Sequence, residues 1–427
     1  MDINRKTAME ILTEVEVRKA YSNIALNGFI SANKPDNQAL VREIVYGVLK
    51  NKLFIDQILS QLISSRLNKL KGNTLTILRM GIYQLIFMHS IPEYAAVNES
   101  VNLAKKFLNG QSGFINGVLR GYIRKKSDFI LPNKAENIVG YLSVKYSYSE
   151  WIVKLWLSIY DEAFVEELLG AGNETPRLSV RVNRLKENPD ALLKTIMDEG
   201  FEVESSQIVQ GALYVKGSNL LKSPIFLNGG FSVQDESSML SIDLLDPRPG
   251  EFVIDVCAAP GGKALYIAEK MQNQGRVVAW DIYSHKLELL KKAAFRTGAT
   301  IIETEDKDST IIDSRYINLA DRVLVDAPCS GLGVIRRKPE IKYSEDQGQI
   351  EALSHLQLEL LQTSSSYVKP GGVLFYSTCT ISPSENEQVV EKFLSMNSLF
   401  ELKVQKQLFP NVDGTDGFYM AKLIKKK

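Results

Sequence analysis

The chain is poor in the residues that staple or metallate a small fold: 427 residues hold three cysteines, three histidines and three tryptophans. An odd, small cysteine count excludes a disulfide framework. Neither Cys257, Cys329 and Cys379 nor His89, His285 and His355 have the spacing of a zinc cage, so no metal is expected. No apolar run approaches the roughly 18 residues of a membrane helix. The opening MDINRKTAMEILTEVEV has the wrong order of charge and apolar content for a signal peptide. These absences point to a cytoplasmic protein, not a membrane one, whose thiols stay reduced. The Gly-x-Gly-x-x-Gly fingerprint is missing as well, which argues against a nicotinamide-dependent dehydrogenase.

Net charge is almost absent too, but the +1 conceals an asymmetry: residues 1–134 carry 19 Lys+Arg against 10 Asp+Glu, leaving 32 against 40 for the rest. A basic front on an acidic body suggests a polyanion partner, although on charge alone a solvated helical surface explains the excess nearly as well. With 44% hydrophobic and 24% charged residues, the chain has material for two or three globular domains.

Up to about residue 130 the apolar residues recur every three or four positions, as in ALVREIVYGVLKNKLFIDQILSQLI, which predicts an all-helical bundle. DFILPNK reads as a linker. Over residues 140–245 RLSVRVNRL and ALYVKGSNLLKSPIFLNGGFSVQD alternate like strands around the helical NPDALLKTIMDEGF, which predicts a small α+β domain. From 246 to 427 solidly apolar strands alternate with glycine loops and helices: EFVIDVCAAPGGK, GRVVAWDI, ATIIET, DRVLVDAPC, GGVLFYSTC. That pattern predicts an α/β, Rossmann-like domain with a parallel, doubly wound sheet.

Ligands of such sheets sit beyond the carboxyl ends of the strands, where this sequence puts its unusual residues. The first loop reads Cys257-Ala258-Ala259-Pro260-Gly261-Gly262-Lys263; its small residues let backbone approach a ligand, and Lys263 offers a cation near a helix start. Asp281, 26 residues after Asp255, is placed to accept hydrogen bonds from ribose hydroxyls. Without a pyrophosphate fingerprint, S-adenosyl-L-methionine fits this nucleoside site better than NAD. Glycines serving only a tight turn would explain one loop but not four converging strand ends.

Cys257 reads as a small inert hydrophobe. Cys329 and Cys379 each close a strand in the crevice. A thiolate there could add to carbon 6 of a pyrimidine and activate carbon 5 for methylation, with the second thiol helping the adduct eliminate. Asp326 could donate to the base if protonated or orient it as an acceptor.

At this point DVCAAPGGKA, DAPCSGLGVIRRKPEIKY and STCTISPSENE resemble the signature blocks of the RNA 5-methylcytosine methyltransferases of the Sun/RsmB/NOL/NOP group. ALVREIVYGVLKN, LRMGIYQL and FINGVLRGYIR are similar to the NusB-type RNA-binding domain of the RsmB branch, and RVNRLK and SVQDESSML to its linker and pre-catalytic motifs. The resemblance implies methylation of carbon 5 of cytosine 967 in 16S rRNA. It makes Cys379 the nucleophile and Cys329 the residue that assists product release, the reverse of the DNA enzymes. It puts the cofactor on residues 257–263, its ribose on Asp281, the catalytic-pocket acid at Asp326, and the adenine-side acid at Asp308 or, alternatively, Asp306. The usual arginine of that last loop is missing, since Thr310 follows Asp308-Ser309. Arg181 and Asn183 are expected to touch RNA by the same resemblance, and Arg336, Arg337 and Lys338 to touch its phosphates. Trp151 and Trp156 read as packing residues. The expected assembly is a monomer on rRNA. A transfer-RNA cytosine methyltransferase and a non-catalytic assembly factor are the competing readings; the surviving PGGK loop, Asp326 and Cys379 argue against the second.

Overall fold

The computed structural model describes residues 2–70, 72–126, 128–217, 219–344 and 347–427. Two compact units emerge, Met1–Glu174 with Ile335–Glu345, and Thr175–Val334 with Asp346–Lys427.

The first unit is helical. Some of its helices begin where side-chain oxygens cap free amides: Asp2 accepts from Asn4 ahead of Ile3–Arg18, Asn37 from Leu40 ahead of Gln38–Lys50, and Asp161 from Phe164 ahead of Glu162–Ala171. The three-and-four spacing then aligns Ile11, Ile44, Leu59, Ile77, Leu78 and Leu119 into one core. Gly47 is required there, because a β-carbon at that position would lie 1.9 Å from the Tyr83 ring. Helices Ile138–Tyr146, Glu150–Leu157 and Glu162–Ala171 cluster with this unit, although the sequence reading started an α+β domain at 140. Their apolar spacing, in WIVKLWL and AFVEELLGA, is helical, and Trp156 is 1% exposed.

Residues 335–345 join this unit from far along the chain. The Glu340 carboxylate accepts from the Ser22 amide at 2.9 Å and its hydroxyl at 2.8 Å, at the start of helix Ser22–Asn33 where negative charge is favoured. Lys342, fully buried, donates to the carbonyls of Lys50 (3.1 Å) and Tyr146 (3.2 Å) and to Asn173 Oδ1, with its ammonium 4.1 Å from the Tyr148 ring centre. Burial, aided by the charge of Lys50, pulls its pKa well down.

The second unit carries two sheets. Strands β1 (Ser179–Val182), β2 (Glu202–Ser205), β3 (Ala212–Lys216) and β4 (Phe231–Val233) form an antiparallel sheet in the order β2-β3-β1-β4. Helix Pro189–Asp198 contributes Leu192 and Ile196 to the core beside Val180, Val215 and Phe231. Strands β5 (Phe252–Asp255), β6 (Arg276–Asp281), β7 (Ile302–Asp306), β8 (Ala320–Asp326), β9 (Val368–Thr378), β10 (Phe400–Leu408) and β11 (Phe418–Lys425) form the larger sheet, in the order β10-β11-β9-β8-β5-β6-β7. Five strands, β5 to β9, run parallel; β5, β6, β8 and β9 have buried apolar centres, whereas the edge strand β7, IETED, is polar.

The sheet is mixed, where the sequence predicted a parallel one: β11 inserts antiparallel between β9 and β10. The link from Leu408 to Phe418 is too short for a parallel crossover and permits only an antiparallel return.

Candidate active site

β5 has β6 on one side and β8 on the other, so the chain leaves it in both directions and a crevice opens at the carboxyl ends of these strands. The loop after β5 turns at Gly261, whose φ of 108° favours glycine and where a β-carbon would lie 2.2 Å from Leu290. Gly262 then opens helix Gly262–Lys270, leaving its first amides free for a ligand. The Ala258 amide donates to the Trp280 carbonyl at 2.8 Å and the Ala259 amide to Asp281 Oδ2 at 3.3 Å. Asp281 Oδ1 accepts from the Tyr283 amide at 3.0 Å, and each oxygen keeps capacity for a further donor. Its neighbour Trp280 is fully buried, with Tyr316 and Tyr367 edge-on at 5.3 Å each, which fixes the strand end.

Asp306 pairs in register with Asp281, and both Asp306 and Asp308 are exposed at the end of β7. Asp308 Oδ1 accepts from the Thr310 hydroxyl (2.7 Å) and amide (2.9 Å), which hold its carboxyl below the usual range. Ser309 turns inward and donates to the Val256 carbonyl at 2.6 Å. Thr310 therefore holds this loop without the arginine.

The other strand ends bring the acid and thiols together. Asp326, last in β8, receives Lys263 Nζ at 2.6 Å on one oxygen and the Ser377 hydroxyl at 2.8 Å on the other. Burial depresses the Lys263 pKa, but Asp326, Cys379 and Asp255 outweigh it and the net shift is upward. Asp255 is 1% exposed, and the Cys257 backbone amide, the one hydrogen-bond donor among its pKa influences, only partly offsets its burial. Burial, then the charge of Asp326, push its pKa up to about 8, so it is largely a neutral acid at pH 7.

The sulfurs of Cys329 and Cys379 lie 3.3 Å apart, and both residues are half-buried. The hydrogen bond to Cys379, then burial, then the charges of Cys379 and Glu385, push the Cys329 thiol well above its usual range. Either sulfur can donate to the other across this contact. Cys257 is half-buried too, and burial with the carboxylates of Asp255, Asp326 and Asp281 keeps it a thiol.

Other sequence-assigned residues lie away from an open surface. Arg181 is 2% exposed: its guanidinium grips Glu269 at 3.0 and 2.5 Å, reaches the Gly262 carbonyl at 3.2 Å and bonds Gln234. Asn183, fully buried, donates to the carbonyls of Gly229 (2.8 Å) and Thr297 (2.7 Å). Both side chains are spent on internal partners: Arg181 ties β1 to helix Gly262–Lys270, and Asn183 ties the end of β1 to Gly229 and Thr297. Arg336, Arg337 and Lys338 group with the helical unit rather than with the crevice wall. Arg336 is 9% exposed, whereas the Lys338 ammonium sits 4.9 Å from the ring centre of the exposed Tyr21.

The sequence reading missed three site residues. Ser377 is the penultimate residue of β9, Asp255 the last of β5, and Glu385 stands in STCTISPSENE. The available signal was an acid in an otherwise apolar strand and a second in a Ser/Thr-rich loop.

Comparison with known proteins gives three family matches: 16S rRNA methyltransferase RsmB/F over residues 242–424, the NusB family over 2–124, and an RsmF/B-like ferredoxin-like domain over 148–220. A probable ribosomal RNA small subunit methyltransferase B of Bacillus subtilis is 38% identical, covering 99% of this chain and 98% of its own. The ribosomal RNA small subunit methyltransferase B of Pasteurella multocida is 33% identical over 92% of this chain and 89% of its own. Among solved structures, PH0851 superposes with a TM-score of 0.85 at 27% identity, over 100% of this chain and 99% of that one. A methyltransferase homologue from Pyrococcus horikoshii gives 0.61 at 28% identity, over 66% of this chain and 97% of that one.

Proposed function

Because the chain belongs to the 16S rRNA methyltransferase RsmB/F family, we propose that it uses S-adenosyl-L-methionine to methylate carbon 5 of a cytosine in 16S rRNA, cytosine 967 by the resemblance of its motifs. The observation that carries this reading is the pair of thiols 3.3 Å apart beside an ion-paired acid. The residues fit the cofactor: the cradle at Gly261 has no room for a side chain, and Asp281 has acceptor capacity left for ribose hydroxyls. Residues 257–263, Asp281 and Asp308 would hold it, and when bound it supplies an electrophilic methyl group.

Cys379 forms the bond to carbon 6. The base gains a proton or a hydrogen bond at N3 from the Lys263–Asp326 pair, and carbon 5 becomes electron-rich. Once Cys379 is a thioether, its negative charge and its hydrogen bond no longer raise the Cys329 pKa. Cys329 then passes its proton to solvent and, as thiolate, removes the proton from carbon 5 while the carbon–sulfur bond breaks, Cys379 leaves as a thiolate and N3 returns its proton to the Lys263–Asp326 pair. The 3.3 Å contact between the two sulfurs supports a shared task for them. Arg337 and Lys338 supply phosphate contacts from the helical unit. The protein works in the cytoplasm as a monomer; no described helix is long and apolar enough to cross a membrane.

The test is transfer of labelled methyl from S-adenosyl-L-methionine to 16S rRNA, followed by mapping of the modified base. Label at carbon 5 of one cytosine supports the proposal. Label on another base, or on transfer RNA alone, overturns it.

A further inference from the structure

Glu385 is a fully buried carboxylate that the mechanism above does not use. It accepts from the Ser330 amide at 2.8 Å, the Ser330 hydroxyl at 2.5 Å, Gln357 Nε2 at 3.2 Å and the Thr380 hydroxyl at 3.3 Å. Ser330 follows Cys329 and Thr380 follows Cys379, so one side chain ties the two thiol loops to each other. Gln357 extends the tie by donating also to the Pro328 carbonyl at 2.9 Å, which brackets Cys329 on both sides. The next residue, Asn386, does the same for Cys379: it accepts from the Thr378 hydroxyl at 2.5 Å and donates to the Thr380 carbonyl at 3.2 Å. The Tyr376 hydroxyl holds the Glu385 carbonyl at 2.5 Å, so this anchor is itself fixed to β9.

A buried anion is costly unless every lone pair finds a donor, and here the donors come from both thiol loops. We propose that Glu385 is a positioning residue that sets the distance and orientation between Cys329 and Cys379, and so couples adduct formation to adduct release. This rests on the reading that these are the two working thiols. Its negative charge also disfavours a second anion at Cys329, in line with the direction of that thiol's shift. Glu385 does not touch the reacting base; it acts through the loops.

The test uses the full-length protein with Glu385→Gln and Glu385→Ala. A misplacement on the scale of 1 Å costs about 100-fold in rate, so turnover should fall by roughly 10- to 100-fold, more in Glu385→Ala. Affinity for S-adenosyl-L-methionine should stay within about twofold, and RNA held covalently should outlast that of the parent because release is slowed. A readout independent of catalysis is oxidation by diamide, in which the two thiols lose two hydrogens, form a disulfide and reduce the diazene to a hydrazine. Cross-linking of Cys329 to Cys379 should slow by about tenfold or more, since the sulfurs no longer face each other. If Glu385→Ala does not fold, Gln357→Leu and Ser330→Ala should move the same readouts in the same direction. Unchanged cross-linking and unchanged lifetime of the covalent complex would overturn the proposal, even if thermal stability falls. An active Cys379→Ala enzyme would instead overturn the reading of the thiols, which separates the two failures.

Discussion

Replacing Arg181 by methionine tests whether this residue braces the cofactor loop or meets RNA. The guanidinium and the Glu269 carboxylate have side chains 3% and 2% exposed and share two hydrogen bonds. Removing one partner of a buried pair costs about 3–5 kcal/mol, because the other charge stays behind without compensation. The guanidinium also stacks 4.4 Å from the Tyr266 ring centre, whose loss adds up to about 2 kcal/mol. Denaturant unfolding followed by circular dichroism should therefore show a loss of roughly 3–7 kcal/mol. The loss should shrink as pH falls toward 5: burial already raises the Glu269 pKa, and without Arg181 that carboxyl takes a proton more readily. A folded-state pKa above the unfolded one gives stability at low pH that is lost as pH rises. Arg181→Met combined with Glu269→Met should recover most of the loss, since no lone charge remains. Cofactor affinity should weaken in the single variant, because Arg181 also holds the Gly262 carbonyl, while RNA affinity should hold. A variant as stable as the parent that has lost RNA affinity would refute this account and return Arg181 to the RNA surface.

Asp281→Ala removes a charged acceptor worth about 1.5–3 kcal/mol, so calorimetry should find S-adenosyl-L-methionine affinity lower by roughly one to two orders of magnitude with RNA affinity intact; unchanged cofactor affinity would remove Asp281 from the ribose site. Asp255 rises from an ordinary 3.8 to about 8, so its neutral form stabilises the fold below about pH 4 and that contribution is lost as pH climbs through 8. Asp255→Asn should be compared with the parent from pH 4 to 9. Its relative stability should grow with pH, with a ceiling of roughly 6 kcal/mol, whereas parallel curves would show that Asp255 does not titrate in that window.

The strand-end loops were legible because their chemistry is local: small residues, an acid or a thiol directly after an apolar run. Asp281, Asp326, Cys329 and Cys379 could be placed from that alone. The fate of Arg181 and Asn183 was not legible, because their partners Glu269, Gly229 and Thr297 lie 46 to 114 residues away and are set by tertiary packing. IRRKPEIKY reads as a basic loop, yet Glu340 and Lys342 bury themselves against helices hundreds of residues earlier, which periodicity cannot reveal. The antiparallel β11 was missed for a related reason. An apolar strand reads the same whether its neighbours run parallel or antiparallel to it, and only the short connection after Leu408 betrays the reversal.

The central claim is that two adjacent thiols act on opposite sides of one covalent intermediate. Its most direct measurement is a denaturing gel of Cys379→Ala and Cys329→Ala, each incubated with 16S rRNA and S-adenosyl-L-methionine. Cys379→Ala should bind RNA, transfer no methyl and leave no slow-migrating complex, because no bond to carbon 6 forms. Cys329→Ala should methylate once and remain attached to its RNA. A trapped complex with Cys379→Ala and none with Cys329→Ala would exchange the roles, and full activity in both variants would contradict the covalent mechanism altogether.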